Sequence, residues 1–392
     1  MRLEGLEQLG PVLEALPGPA YLVGGAVRDL LLYRPGFDVD LAVVGDAEAF
    51  AHALAERLGG RVVPHGRFGT AVVHYRDGRH LDVATARTET YPAPGALPDV
   101  APAASIEEDL ARRDFTINAM AVALPEGELI DPFAGRSHLV DRLVRVLHEG
   151  SFVDDPTRIF RAARYEGRLG FRMDPKTETL ALLAVPEVRR LSGARVREEL
   201  LAILEEERAA VILARLHRLG VDVALWPGLQ FPDDGALLER LQLLASQYAP
   251  SPQWELGLLA IAPPGGWLDE LKLPRWAVSR VEAAVEEAPR LRATLREPGL
   301  SPAEVVEAVE RTGPDTPLLA LAQEELPALH EYFQRLRGIH IELTGDDLAA
   351  LGLGESPRVG EVLAELRRRK LNGTLDSRAA EIAAARELIA ET

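Results

Sequence analysis

The chain has 392 residues, no cysteine and a formal net charge of −17, with 27% charged and 47% hydrophobic side chains. That length exceeds one typical domain and provides for a sizeable core. The composition excludes disulfides and thiolate metal sites, a membrane helix of about eighteen apolar residues, and a uniformly basic nucleic-acid binder. With no N-terminal signal pattern, the reading is a cytoplasmic protein that does not enter a membrane. Three of the 44 basic residues are lysines, Lys176, Lys272 and Lys370. Arginine suits bidentate phosphate contact and GC-rich coding gives the same bias, so position along the chain matters more than the total.

Residues 1–20 read as a short helix and a proline-bearing entry to a first strand. Tyr21-Leu-Val23 then stops at Gly24-Gly25, and a helical pattern (Val27, Leu30, Leu31) follows at once. Strand, glycine turn and helix make a phosphate cradle, because the glycines admit close approach and the helix start presents unpaired N–H groups. Arg28, in the first turn, can add a bidentate charge to the same phosphate. Asp38 and Asp40 flank Val39 ahead of the apolar strand Leu41–Val44, so both carboxylates face one side and can hold one or two divalent metals. Two solvated turn aspartates are the alternative. The glycine pair, the arginine and D-x-D within about twenty residues favour the site.

Asp46–Leu58 reads as an amphipathic helix, and Arg61–Pro64, Thr70–Tyr75 and His80–Ala84 read as strands, which makes an α/β head. Asp82 in the last strand is either a third metal carboxylate or a structural aspartate. Arg87–Ala104 carries Pro92, Pro94, Pro98 and Pro102 without helical period and reads as a loop. Ser105-Ile-Glu-Glu108 is a capping box that starts a helix carrying Asp109, Arg112, Arg113 and Asp114 into F-T-I-N-A-M-A. Ile130–Gly135 reads as a strand end and turn. Asp154 and Asp155 ahead of Pro156 mark another helix start. Arg158, Arg161, Arg164, Arg168 and Arg172 then fall within an arc of about 120° at about 100° per residue. Such a stripe either faces an anion or is a solvated face with acidic neighbours. Beyond Leu180 the pattern is helical, with breaks near Pro227, Pro250–Pro252 and Pro263–Gly266. Trp226, Trp254 and Trp267 read as core or interface residues, and no internal repeat is evident.

G-G-A-V-R-D followed by D-V-D, then R-R-D-F-T-I-N-A and D-D-P-T-R, resembles the ordered signature of class II tRNA nucleotidyltransferases and bacterial poly(A) polymerases. The resemblance implies an α+β protein: a polymerase β-like nucleotidyltransferase head with a mixed sheet and helices, followed by an all-helical neck, body and tail. The corresponding segments are 1–146, 147–205, 206–335 and 336–392, the last meeting the tRNA. It implies template-independent addition of C and/or A from CTP and ATP to the tRNA 3′ end. By the same resemblance Asp38 and Asp40 hold two Mg²⁺ ions, and Gly24, Gly25 and Arg28 cradle the triphosphate. Arg113 and Asp114 contact the nucleotide, Asp155 and Arg158 read the base edge, and Arg161 and Arg164 match nearby nucleotide-binding arginines. Asp154 stands where the family usually has glutamate, and the proline-rich loop stands where many CCA-adding enzymes carry a more charged one. Enzymes adding only CC or only A, and poly(A) polymerase, remain as alternatives; a catalytically dead RNA-binding module is disfavoured by the intact carboxylates. In the tail, backbone N–H groups around Gly360 and the cluster Arg367, Arg368, Arg369 and Lys370 could hold phosphates. A basic last turn stabilising its own helix accounts equally well for that cluster.

Overall fold

The computed structural model describes residues 9–34, 38–65, 69–75, 78–226, 229–261 and 267–390. Pro227 and Pro263–Gly266, read above as helix breaks, lie outside them, as do residues 1–8. The chain divides into two compact units, Met1–Pro227 and Gly228–Thr392.

In the first unit a short helix α1 (Gly10–Ala15) precedes β1 (Ala20–Val23), α2 (Gly25–Leu31), β2 (Asp40–Val43), α3 (Ala47–Leu58), β3 (Arg61–His65), β4 (Thr70–His74) and β5 (His80–Thr85). With β8 (Ala121–Leu124) and β9 (Glu128–Ile130) these strands form one seven-stranded sheet in the order β3-β4-β5-β2-β1-β8-β9. Only β2 and β5 run parallel, which makes the sheet mixed, as the resemblance implied. Helix α3 is capped as its sequence demands. The Asp46 carboxylate accepts from Ala49 N, Gly59 closes the other end in the left-handed region, and Phe50, Leu54 and Leu58 turn inward.

The segment Arg87–Ala104 departs from the loop reading. It is an antiparallel hairpin, β6 (Arg87–Thr90) and β7 (Asp99–Pro102), with only the stretch between them irregular. The prolines misled because proline removes a ladder donor, yet an isolated two-stranded ribbon has open edges that need none. Ser105 caps α4 (Ile106–Ala111) by accepting from Glu108 N. The Glu108 carboxylate, however, accepts from Ala104 N instead of closing the box on Ser105.

Helices α5 (Gly135–Val140), α6 (Ser151–Asp154), α7 (Thr157–Leu169), α8 (Pro175–Ala184), α9 (Gly193–Leu204), α10 (Ala209–Leu219) and α11 (Val221–Leu225) complete the unit, with the short parallel pair β10 (Leu143–Val144) and β11 (Arg172–Met173) between them. Gly170 ends α7 in the left-handed conformation, so Arg172 falls on β11 and the arginine stripe has four members, not five. The second unit is helical throughout its described residues: α12 (Ala236–Tyr248), α13 (Gln253–Ile261), α14 (Trp267–Glu270), α15 (Arg275–Leu295), α16 (Pro302–Glu310), α17 (Thr316–Gln323), α18 (Pro327–Gln334), α19 (Gly345–Ala350), α20 (Pro357–Leu371) and α21 (Arg378–Ala390). The last three share a small core around Leu348, Leu366 and Ala385. Trp267 is buried, and Trp254 meets Trp276 edge-on. No helix among the described residues is long and apolar enough to cross a membrane.

Helices α7 and α10 approach so closely that a Cβ on Gly167 would lie 2.3 Å from Ile212 Cγ1. Gly167→Ala is therefore expected to destabilise the protein by about 1–3 kcal/mol through overpacking. Ile212→Ala in the same chain should recover part of that loss, as read by a double-mutant cycle in urea.

Candidate active site

The site begins at the glycine turn. Gly24 adopts φ 66°, ψ −126°, a conformation closed to side-chain-bearing residues, and its N–H donates to Met120 O on the neighbouring strand side. A Cβ there would also lie 2.5 Å from Arg113 Nη1. Backbone angle and crowding thus both dictate glycine, and the start of α2 is left bare of side chains.

Arg28 does not point outward as a spare phosphate ligand. It is buried, grips Asp29 through Nε and Nη2 (3.0 and 2.8 Å), and donates Nη1 to Asn118 Oδ1 at 2.6 Å. Asn118 in turn donates Nδ2 to Asp114 Oδ1 at 2.9 Å, and Asp114 Oδ2 accepts from Arg161 Nε and Nη2 at 2.8 and 2.7 Å. One buried polar chain therefore runs from α2 through the F-T-I-N turn to α7. Burial alone would push the Asp114 carboxyl up. The Arg161 charge and the Asn118 amide outweigh it and hold the group below the usual carboxylate range. Tyr165, one turn after Arg161, lies beneath both Arg28 and Arg161, at 5.2 and 5.8 Å from the two guanidinium carbons.

A second network anchors the hairpin. Asp109 accepts from Arg112, Arg113 and Arg87 N, while Glu89 accepts from Arg87, Arg112 and the Tyr91 hydroxyl. Arg113 is thereby fixed over Gly24 and toward Asp40.

Asp40 opens β2 with Asp38 two residues before it, and the parallel register places Asp82 of β5 opposite Asp40. Burial, followed by the negative charge of Asp82, pushes the Asp40 carboxyl up to about 6, with Arg113 opposing and Asp38 adding to the rise. Such carboxylate crowding with one opposing arginine is the electrostatics of a cation site. Among the described residues no three acidic or histidine side chains converge tightly enough to hold an ion alone. That donor set fits Mg²⁺, which is commonly held by one or two carboxylates plus substrate phosphates and water.

On the helical side, Asp155 links α6 to α7: its Oδ1 accepts from Thr157 N and Oγ1, at the first residue of α7, and from Arg195 Nη2 at 2.6 Å. Arg158 is buried and donates to Ser151 Oγ and Arg112 O, with its guanidinium over the Tyr91 ring. Arg195 also donates to Gly95 O, and Gly95 N donates to Asp154 O, so the irregular tip of the hairpin is tied to the two aspartates. The anions opposite the arginine stripe are the protein's own: Asp114 for Arg161, Glu199 for Arg161 and Arg164, and Glu206 for Arg164 and Arg168.

These groups surround one cavity of about 450 Å³. Gly24, Gly25, Arg28, Asp38, Asp40, Arg113, Asp114, Asp155, Arg158 and Arg161 all line it, whereas Arg164 stands behind, paired with Glu199. The sequence reading missed Glu89, Tyr91, Asn118 and Tyr165 on its wall. Asn118 and Tyr165 were detectable as the polar residue of F-T-I-N and as the i+4 neighbour of Arg161. In the tail, Arg367 pairs with Glu310, Arg368 and Arg369 with Glu365, and Lys370 with Glu381, while Gly360 lies in the first turn of α20.

A family model described as the poly A polymerase head domain matches residues 20–145, and one described as the probable RNA and SrmB-binding site of polymerase A matches residues 170–231. The A-adding tRNA nucleotidyltransferase of Halalkalibacterium halodurans is 35% identical, over 98% of this chain and 92% of that protein. The A-adding enzyme of Geobacter sulfurreducens is 35% identical over 95% of this chain, which spans 45% of its length. The CC-adding enzyme of the same organism is 30% identical, over 92% of this chain and 90% of that protein. Among solved structures, an apo CCA-adding enzyme superposes with a TM-score of 0.83 at 32% identity, covering 95% of this chain and 92% of that one. The Thermotoga maritima CCA-adding enzyme complexed with tRNA gives 0.81 at 30% identity, covering 100% and 96%.

Asn118→Ala should destabilise the protein by about 2–3 kcal/mol, because it leaves Arg28 and Asp114 each short of a charge-assisted partner in a buried site. Chemical denaturation checks this. In metal-free buffer Asp40→Asn should act oppositely. The raised folded-state value means that native Asp40 holds its proton more tightly than the unfolded chain does. Wild-type stability is therefore lost as pH rises from about 4 through about 6, and the asparagine variant gains about 1–3 kcal/mol on it above pH 6 and little below pH 4. Paired melts in EDTA at the two pH values read the difference.

Proposed function

The chain belongs to the tRNA nucleotidyltransferase family, and from that premise we propose that it adds C and/or A from CTP and ATP to the 3′ end of tRNA without a template. The observation that carries this reading is the single cavity in which a bare glycine turn, a carboxylate pair and the Asp155–Arg158 segment meet. We read Gly24 and Gly25 as the seat of the triphosphate, with Arg113 supplying positive charge above it and Arg28, held by Asp29 and Asn118, forming the wall behind. Asp38 and Asp40, with Asp82 adjoining, would hold two Mg²⁺ ions, which neutralise charge on the attacking and leaving oxygens of the phosphoryl transfer. Asp114 and Arg161 position the nucleotide, and Arg164 braces Arg161 through Glu199. The Asp155 carboxylate accepts from the exocyclic amino group of adenine (N6) or cytosine (N4), the position at which guanine and uracil carry a carbonyl oxygen that repels it, while Arg158 fixes the wall behind it.

Addition of A is the favoured programme. Two relatives at 35% identity are A-adding enzymes, and the hairpin tip tied through Arg195 to Asp155 gives the base site a fixed width. The segments 1–146, 147–205, 206–335 and 336–392 are assigned here as head, neck, body and tail, with the tail around Arg367–Lys370 against the tRNA. A cytoplasmic location accords with the absence of cysteine.

The test is incorporation of labelled CTP and ATP into tRNA transcripts ending before CCA, after C and after CC. The expected outcome is extension of the CC-ended transcript by A alone; stepwise addition of all three would instead make it a complete CCA enzyme. Asp38→Ala should abolish transfer by more than about a thousandfold while leaving the fold intact, checked by circular dichroism and by retained tRNA binding.

A further inference from the structure

Helix α7 brings one more arginine to the cavity wall than the proposed reaction employs. Arg158, Arg161, Tyr165 and Arg168 fall within an arc of about 80° at about 100° per residue, and all four line the cavity as a single row. From Arg158 to Arg168 the row runs about 15 Å along the helix axis, and it has a direction. Asp155 and Arg158 stand at its start, and Arg161 holds Asp114 one turn on. Tyr165 marks the level of the glycine turn. Its ring lies 5.2 Å from the Arg28 guanidinium carbon, and Nη2 of that guanidinium is 3.5 Å from the place of a Cβ on Gly25. Arg168 follows about 4.5 Å further along the axis, past the level of the glycine turn and away from the base-reading pair.

The other arginines of this wall are already occupied. Arg28 grips Asp29, Arg112 and Arg113 grip Asp109, Arg161 grips Asp114, and Arg158 donates to Ser151 Oγ and Arg112 O. Arg168 makes no side-chain hydrogen bond among the described residues. Its carboxylate partner is Glu206, in the turn between α9 and α10, at 3.9 Å, which is beyond hydrogen-bond distance. The Arg168 side chain is 46% exposed. So loose and solvated a pair contributes little to the fold and holds the guanidinium weakly, so a stronger anion can draw it away.

We propose that Arg168 binds the β- and γ-phosphates of the incoming nucleotide and then the departing pyrophosphate, with Glu206 as its resting partner. This assignment takes from the proposed reaction the direction in which the nucleotide lies: base at Asp155, α-phosphate at the glycine turn, terminal phosphates beyond it. In the transfer the terminal ribose oxygen bonds to the α-phosphorus and its hydroxyl proton passes to water. The bond from that phosphorus to the bridging oxygen breaks, and the electron pair stays with the pyrophosphate. Negative charge therefore grows at the end of the nucleotide that Arg168 faces, where a planar guanidinium can meet two phosphate oxygens at once. A phosphodiester of the acceptor strand is the competing anion. The row favours the nucleotide, because Arg168 continues the line of side chains along which base and ribose are held.

The experiment is calorimetric binding of ATP, AMP and inorganic pyrophosphate in Mg²⁺ without RNA, for the wild type, R168A, R168K and E206Q. R168A is expected to bind ATP and pyrophosphate about tenfold more weakly and AMP unchanged, since AMP lacks both phosphates that the arginine meets. R168K should recover part of the loss, and E206Q, which removes the competing carboxylate, should tighten pyrophosphate binding by about two- to threefold. On CC-ended tRNA, KM for ATP should rise in R168A while KM for the tRNA stays constant. Equal losses for AMP and ATP would make Arg168 a support of α7 and overturn the proposal. Unchanged ATP and pyrophosphate affinity with a raised KM for tRNA would also overturn it and assign the arginine to the acceptor strand. Failure of the proposed reaction would appear separately, as a wild type that binds ATP more tightly than R168A does and incorporates no nucleotide.

Discussion

The hydrogen-bonded chain Arg28–Asn118–Asp114–Arg161 is the constraint on which the rest of the site depends. Each of its members is partly or wholly removed from water, and each is compensated by the next. Buried charges hold only when paired and hydrogen-bonded, and removal of one partner leaves the other exposed to the full desolvation penalty. The chain therefore fixes α7 against the glycine turn with little tolerance. Asp40, Gly24 and Arg113 on one side of the cavity and Arg158 and Arg161 on the other are held at the separation this chain sets.

An acidic protein that handles polyanions must solve its electrostatics locally. Here the arginines facing the cavity are not loose positive charges waiting for phosphate; most already grip carboxylates of the same unit. Pre-paired arginines are rigid, so little side-chain entropy remains to be lost when an anion arrives. The crowding at Asp40 has the opposite character, since two aspartates gather there against one opposing arginine. Positive charge is compensated in advance, and negative charge is left for a cation to compensate.

The proline-rich segment shows how local chemistry and long-range pairing divide the work. Its prolines deny it a place inside a sheet, but a free-standing ribbon accepts Pro102 at its edge. Glu89 and Tyr91 then turn toward the cavity, and Gly95 is held between Asp154 and Arg195. The ribbon thus becomes a wall of the base site instead of a passive connection, with its stiffness borrowed from the helices behind it.

The glycine turn, the order of strands and helices from β1 to β5 and the helical character of the chain beyond Leu180 were determined by the sequence alone, because each rests on contacts within a few residues: φ at Gly24, caps at Asp46 and Ser105, a left-handed stop at Gly59. Ten of the eleven residues read as the nucleotide and metal site line one cavity for the same reason, their motifs being short and locally rigid. The tertiary structure alone decided which partners they have. Arg28 and Asn118 are 90 residues apart, and Arg161 and Asp114 are 47 apart. The register that brings Asp82 beside Asp40 depends on strand pairing, and Arg172 left the arginine stripe because Gly170 ended its helix first. Spacing along a chain fixes which face a residue occupies; only packing fixes what that face meets.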